Sequence, residues 1–175
     1  MRSSQRKHAP DKVGLERRMQ TSLGGIAHKA KINKKHRFRD LFRMLNKEYL
    51  EQTYDRLNKS SAPGVDKVTV REYGKGLKER ILNLVERLKR GSYRARLIRR
   101  KNIPKGNGKI RPLGIPTTED KLLQTAASDI LMAIYEQDFL ANSYGYRPKV
   151  GAVDAVRKLS EELCFGGYHF VVDAD

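Results

Sequence analysis

Tryptophan is absent from this 175-residue chain, cysteine occurs once, and no apolar run approaches the length of a membrane span. The missing run, with an N-terminus that has no apolar segment of the secretory type, argues against a spanning helix and a secretory signal. A basic membrane-surface helix over residues 1–40 stays open, although they carry no broad apolar face. A lone Cys164 permits neither an intrachain disulfide nor a cysteine zinc cluster, and it reads as a small hydrophobe late in a helix. The four histidines, His8, His28, His36 and His169, follow no metal-ligand spacing. Aromatics at 7% and apolar residues at 38% allow one lean core. Acidic residues are scarce too: 20 Asp and Glu face 37 Lys and Arg, giving a net charge of +17. A field of that sign attracts polyanions, and the chain is expected to be intracellular and associated with nucleic acid.

What is present begins with a basic arm. Residues 1–36 mix Arg, Lys, Ser, Gly and His with few large apolar groups, the composition of a partly disordered segment that cannot bury enough surface to fold alone. From Phe38 apolar residues recur at three and four, through Leu41, Phe42, Leu45 and Tyr49 to Leu57, which predicts one long helix or two abutting ones. Ser60, Ser61, Pro63 and Gly64 break that pattern, and a loop carrying Asp66 follows. Leu77, Ile81, Leu84, Val85 and Leu88 predict an amphipathic helix closed by Gly91 at C′.

Residues 97–103 read as a strand ending at Pro104, and Asn107-Gly108 with the run Lys109 to Ile115 predicts a β-hairpin. Thr117 and Asp120 form a capping-box-like pair before a long helix carrying Leu122, Leu123, Ala126, Ala127, Ile130 and Ile134. A turn-rich loop spans Asn142 to Pro148, and Ala152, Val153, Val156, Leu159 and Leu163 predict another helix, ended by Gly166 and Gly167. Tyr168 to Val172 then read as a strand delivering Asp173 and Asp175 on one side. The order is that of an α+β chain with an unfinished sheet.

Charge is concentrated in residues 89–111, where ten cations meet no acid; they include Arg94, Arg96, Arg99, Arg100 and Lys101. Two readings stay open for them, contact with a nucleic-acid backbone or triphosphate, and a merely basic surface. Tyr93 within the run can stack on a base or pack beneath the hairpin. Tyr144, Tyr146 and Arg147 likewise form either a contact surface for sugars, bases and phosphates or a tight loop pinned by tyrosine hydroxyls. Asp173 and Asp175 alone are a weak metal signal.

The run Ile103 to Ile115, reading Ile-Pro-Lys-Gly-Asn-Gly-Lys-Ile-Arg-Pro-Leu-Gly-Ile, resembles the fingers hairpin of group II intron-encoded reverse transcriptases, or maturases. The resemblance extends to Ser61-Ala62-Pro63-Gly64-Val65-Asp66 upstream. Downstream it takes in Pro116, Glu119, Asp120, Gln124, Ser143-Tyr144-Gly145-Tyr146-Arg147-Pro148, Asp154-Ala155 and Val172-Asp173-Ala174-Asp175. These ordered blocks cover roughly residues 58–175.

The resemblance implies right-hand polymerase fingers and the beginning of a palm over residues 37–175, behind the arm of 1–36. It also implies RNA-directed DNA polymerisation in the complete protein, in a bacterium or an organelle. Asp175 would be the first catalytic aspartate and a Mg²⁺ ligand. Lys105, Lys109 and Arg111 would neutralise the incoming dNTP, with Arg111 foremost, while Tyr144, Tyr146 and Arg147 would line the template or nucleotide cleft. Arg94, Arg96, Arg99, Arg100 and Lys101 would bind RNA. Partners would be structured intron RNA, an RNA template, a DNA primer and dNTPs, with no membrane.

Two departures qualify this. No Tyr-Ala-Asp-Asp box occurs, so one aspartate is left to hold two hard cations, and the chain is expected to be a truncated, inactive portion. An RNA-binding splicing helper without catalysis and a non-functional remnant are the alternatives. Lys67 stands where many relatives have glycine.

Overall fold

A computed structural model describes residues 22–106 and 108–174. The expectations placed on residues 1–21, on Asn107 and on Asp175 fall outside the described residues.

The first helix, α1 (Leu23–Ile32), starts at Ser22, whose hydroxyl accepts the Gly25 N–H at 3.0 Å, and buries only Ile26 and Ala30, one turn apart. Ten residues inside the segment read as an arm are therefore helical. Their main apolar partner is Ile130, about a hundred positions away, with Met44 completing the cluster. Composition within the segment carries no sign of that contact.

The periodicity beginning at Phe38 resolves into a 3-10 turn (Leu41–Met44) and α2 (Lys47–Arg56). Asn46 separates them, because its side chain caps α2 by accepting the Tyr49 N–H at 2.9 Å. A short helix absent from the sequence reading, α3 (Val70–Gly74), is nucleated by a reciprocal box. Thr69 N–H donates to Glu72 at 2.8 Å, and Glu72 N–H donates to the Thr69 hydroxyl at 3.2 Å. Then α4 (Leu77–Lys89) follows the predicted stripe, burying Ile81, Leu84 and Val85, and Gly91 takes the positive φ (65°) expected after its end.

Strands β1 (Arg99–Pro104) and β2 (Ile110–Ile115) pair antiparallel from Arg99 opposite Ile115 to Pro104 opposite Ile110. Lys105 N–H donates to Lys109 C=O at 2.7 Å to close the turn. The long helix α5 (Thr118–Tyr135) crosses the core, contacting α1, α2 and α3. Leu122 and Ala126 from α5 join Leu50, Tyr54, Val70, Tyr73, Ile81 and Leu84 in the main cluster. Arg56 and the Tyr49 hydroxyl both donate to Asp129, tying α2 to α5. Burial, then Asp129, raises the Tyr49 pKa.

The last helix, α6 (Ala152–Phe165), buries none of its residues, leaving the stripe Val153, Val156, Leu159 and Leu163 exposed. Residues 168–174 are exposed and lie outside the sheet, so the strand expected over Tyr168 to Val172 does not form among the described residues. Strand propensity favours an extended backbone, but a ladder needs a neighbour, and the only sheet among the described residues is the β1–β2 hairpin. The described residues thus give a mixed helix and sheet structure of six α-helices and one two-stranded sheet, an α+β arrangement.

Candidate nucleic-acid interface

The hairpin stands on a polar root that joins the end of α4 to the start of α5. Asp120, 3% exposed, accepts from the Tyr93 and Thr117 hydroxyls and, at 3.4 Å, from Arg96 N–H. Its own N–H donates to Thr117 at 3.2 Å, so the cap foreseen from sequence forms, while the carboxylate reaches to the hairpin stem. Beside it Arg87 bonds Glu119 at 2.7 Å, and its guanidinium sits 5.6 Å from the Tyr93 ring centre. Tyr73 completes the network by donating to Glu119 at 3.4 Å. Burial first, then the neighbouring carboxylates, pushes the Tyr73 and Tyr93 phenols well above the usual tyrosine range. Of its two open roles, Tyr93 takes the packing one.

Strand alternation sorts the cations above that root. The register places Arg99, Lys101 and Arg111 on one face with Ile103, Leu113 and Ile115, and Arg100 on the other with Asn102 and Pro112. Lys105 and Lys109 flank the turn. Arg94, Arg96, Arg100, Lys101, Lys105, Lys109 and Arg111 are exposed, and neither they nor Arg99 forms an ion pair among the described residues. A row of cations without carboxylates is a surface whose field is left for an outside anion.

At the base of β1 the segment 61–68 clamps onto α5. Gly64 lies so close to Pro116 and Thr117 that a Cβ there would sit 2.6 Å from the Thr117 Cα, which explains glycine at this position. Lys121 donates to the Ala62 carbonyl and Thr118 to the Val68 carbonyl at 2.8 Å. Asp66 accepts the Val68 N–H at 3.2 Å, and Lys67 takes φ 59°, the left-handed region that glycine occupies without strain. Burial, then the charge of Arg99, lowers the Lys121 pKa, and the Arg99 Nε is buried without a hydrogen-bond partner among the described residues. Positive charge is therefore under-compensated where the segment meets the hairpin.

The tyrosine loop lies elsewhere. Arg147 bonds Glu136 at 2.8 Å and donates to the Ser143 and Leu140 carbonyls at 2.7 and 2.9 Å, with its guanidinium 5.2 Å from the Phe139 ring centre. Those bonds pin the loop to the C-terminal end of α5 and leave Tyr146 fully exposed and Tyr144 half-buried. The hairpin springs from the opposite end of that 18-residue helix, about 27 Å away by helical rise. Hairpin and loop therefore do not form one cluster. The network residues Arg87, Glu119 and Asp120 carry no signal of their role in the sequence, since their partners lie 24 to 46 positions away.

Asp173 is exposed, and among the described residues no group of three or more His, Cys, Asp or Glu is placed to hold a metal ion. Asp175, the residue expected to hold Mg²⁺, lies outside the described residues. No helix among the described residues is long and apolar enough to cross a membrane.

No family model matches the chain. Curated relatives do. Group II intron-encoded protein LtrA of Lactococcus lactis subsp. cremoris is 42% identical over 98 residues, 55% of this chain and 16% of LtrA. Protein YkfC of Escherichia coli (strain K12) is 39% identical over 101 residues, 58% of this chain and 26% of YkfC. The putative COX1/OXI3 intron 1 protein of Saccharomyces cerevisiae is 29% identical over 133 residues, 75% of this chain and 16% of that protein. The chain thus spans a small part of the relatives it matches. At 42% identity over about half its length, the chain is a homologue of the group II intron-encoded protein LtrA.

Proposed function

We propose that the chain supplies the fingers and the start of the palm of a group II intron reverse transcriptase, and that its own contribution is to grip nucleic-acid phosphates. The observation that carries this reading is the set of eight hairpin and stem cations that form no ion pair among the described residues, raised on the Asp120 and Glu119 root. Lys105, Lys109 and Arg111 are the groups proposed to meet an incoming dNTP, and Arg94, Arg96, Arg99, Arg100 and Lys101 an RNA backbone. Tyr146, exposed beside a pinned Arg147, would stack on template or nucleotide. In a complete polymerase Asp175 would hold Mg²⁺ together with further carboxylates, and the metal would organise the primer 3′-hydroxyl and the triphosphate.

A second reading, an RNA-binding splicing helper without catalysis, draws on the same cations, since charge contact with an RNA backbone needs no catalytic centre. Binding to structured RNA, measured beside primer extension, tests the phosphate grip that both readings share. The fingers reading predicts RNA binding, no extension by these 175 residues alone, and a loss of about tenfold or more in affinity for Arg111→Glu. Extension by the isolated chain, or wild-type affinity in Arg111→Glu, would overturn it.

A further inference from the structure

Between α1 and the 36–44 segment lies a cavity of about 550 Å³, inside the ~300–1,000 Å³ range of pockets that take small organic ligands. It shares no residue with the hairpin, its root or the tyrosine loop. Ile26, Phe38 and Met44 contribute its apolar lining, where Ile26 and Met44 are buried and Phe38 is half-buried. The His36 and Phe38 rings meet edge to face, centres 4.7 Å apart at 86°, so part of the wall is aromatic. Lys29, Arg37, Arg39 and Arg43 stand around it, and the one acid, Asp40, sits 3.8 Å from Arg43. Lys29, Arg37 and Arg39 form no ion pair among the described residues.

An apolar, part-aromatic floor ringed by cations is complementary to a flat heterocycle that carries a phosphate. We infer that this cavity receives one unpaired nucleotide of a single-stranded polynucleotide, with the base against Phe38 and the flanking phosphates on Arg37 and Arg39. A base held in a duplex is not free to enter such a pocket, whereas an unstacked one is. The inference rests on the nucleic-acid-binding reading above and adds a base-dependent term to a charge-dependent one.

The test is fluorescence anisotropy with the full chain and three short dye-labelled strands: a single-stranded RNA, its DNA counterpart, and the RNA made wholly abasic. The intact RNA should bind roughly tenfold more tightly than the abasic strand, and Phe38→Leu should erase that preference while leaving abasic binding unchanged. Arg37→Glu with Arg39→Glu should weaken RNA binding more than the same charge change at the exposed Lys75 and Lys78, and this comparison stands if the Phe38 variant fails to fold. DNA bound as tightly as RNA places the recognition in base and phosphate, and RNA preferred over DNA adds the 2′-hydroxyl; either result supports the pocket. RNA binding that persists with the preference intact in Phe38→Leu, or equal losses in the two charge variants, overturns the pocket alone. No binding by any strand overturns the phosphate-gripping reading with it.

Discussion

Gly64 shows how one residue holds the proposed interface in place. Its missing side chain lets the 61–68 segment lie on Pro116 and Thr117. Gly64→Ala is expected to cost about 3 kcal/mol, the upper end for overpacking, because the contact is with backbone that cannot swing aside. Urea unfolding would show this as a lower midpoint. Three residues on, Lys67 pays for a left-handed backbone that glycine adopts freely. Lys67→Gly should therefore leave the fold intact and raise stability by about 0.5–1 kcal/mol, the left-handed strain less the extra freedom glycine gains when unfolded. A drop in the midpoint would show that the Lys67 side chain contributes more than its strained backbone loses.

The helices and the hairpin differ in how far local pattern could reveal them. The α4 helix was legible because Leu77, Ile81, Leu84 and Leu88 repeat with the helical period and Gly91 stops it; the hairpin, because Pro104 and Asn107-Gly108 punctuate two short runs. The α1 and α3 helices were not, since α1 buries two residues against a distant helix and α3 is five residues held by one capping box. Tyr168 to Val172 carried the opposite error, strand propensity without a partner strand. The cations of the interface could be read directly, but the root that aims them could not, because Asp120, Tyr93, Arg87 and Glu119 meet only after folding.

That root predicts an alkaline response. The Tyr73 phenol is held above its unfolded pKa, so above about pH 10 the unfolded chain releases the tyrosine proton while the folded one keeps it, and stability falls as pH rises. Urea midpoints between about pH 10 and 12 should decline less steeply in Tyr73→Phe, by up to about 1.4 kcal/mol per pH unit. Lys121 works in the opposite sense in the window below its ordinary value. Its lowered pKa means that the unfolded chain binds the extra proton there, so this lysine makes stability rise with pH. Identical alkaline slopes in the Tyr73 variant and the parent would contradict the network.

At the scale of the whole molecule, charge and apolar surface are unevenly distributed. The main core joins α2, α3, α4 and α5, whereas α6 displays an apolar stripe to solvent, and Leu131, Tyr135 and Phe139 line a second apolar groove along α5. Residues 94–111 carry eight of the 37 cations and no acid, so the hairpin and its stem are strongly positive in a chain of net charge +17. On the proposed function, long-range attraction would bring a polyanion in, and the hydrogen-bonded root would fix where it is held.

The central claim is that the hairpin cations contact phosphates, and the salt dependence of RNA affinity measures it most directly. Between about 50 and 200 mM salt the logarithm of the association constant should fall linearly with log salt, losing about 0.7 in slope for each single-strand phosphate contact removed. Replacing Lys105, Lys109 and Arg111 together by glutamine should therefore flatten the slope by about 2. A slope unchanged by that triple replacement, or an affinity indifferent to salt, would contradict the account.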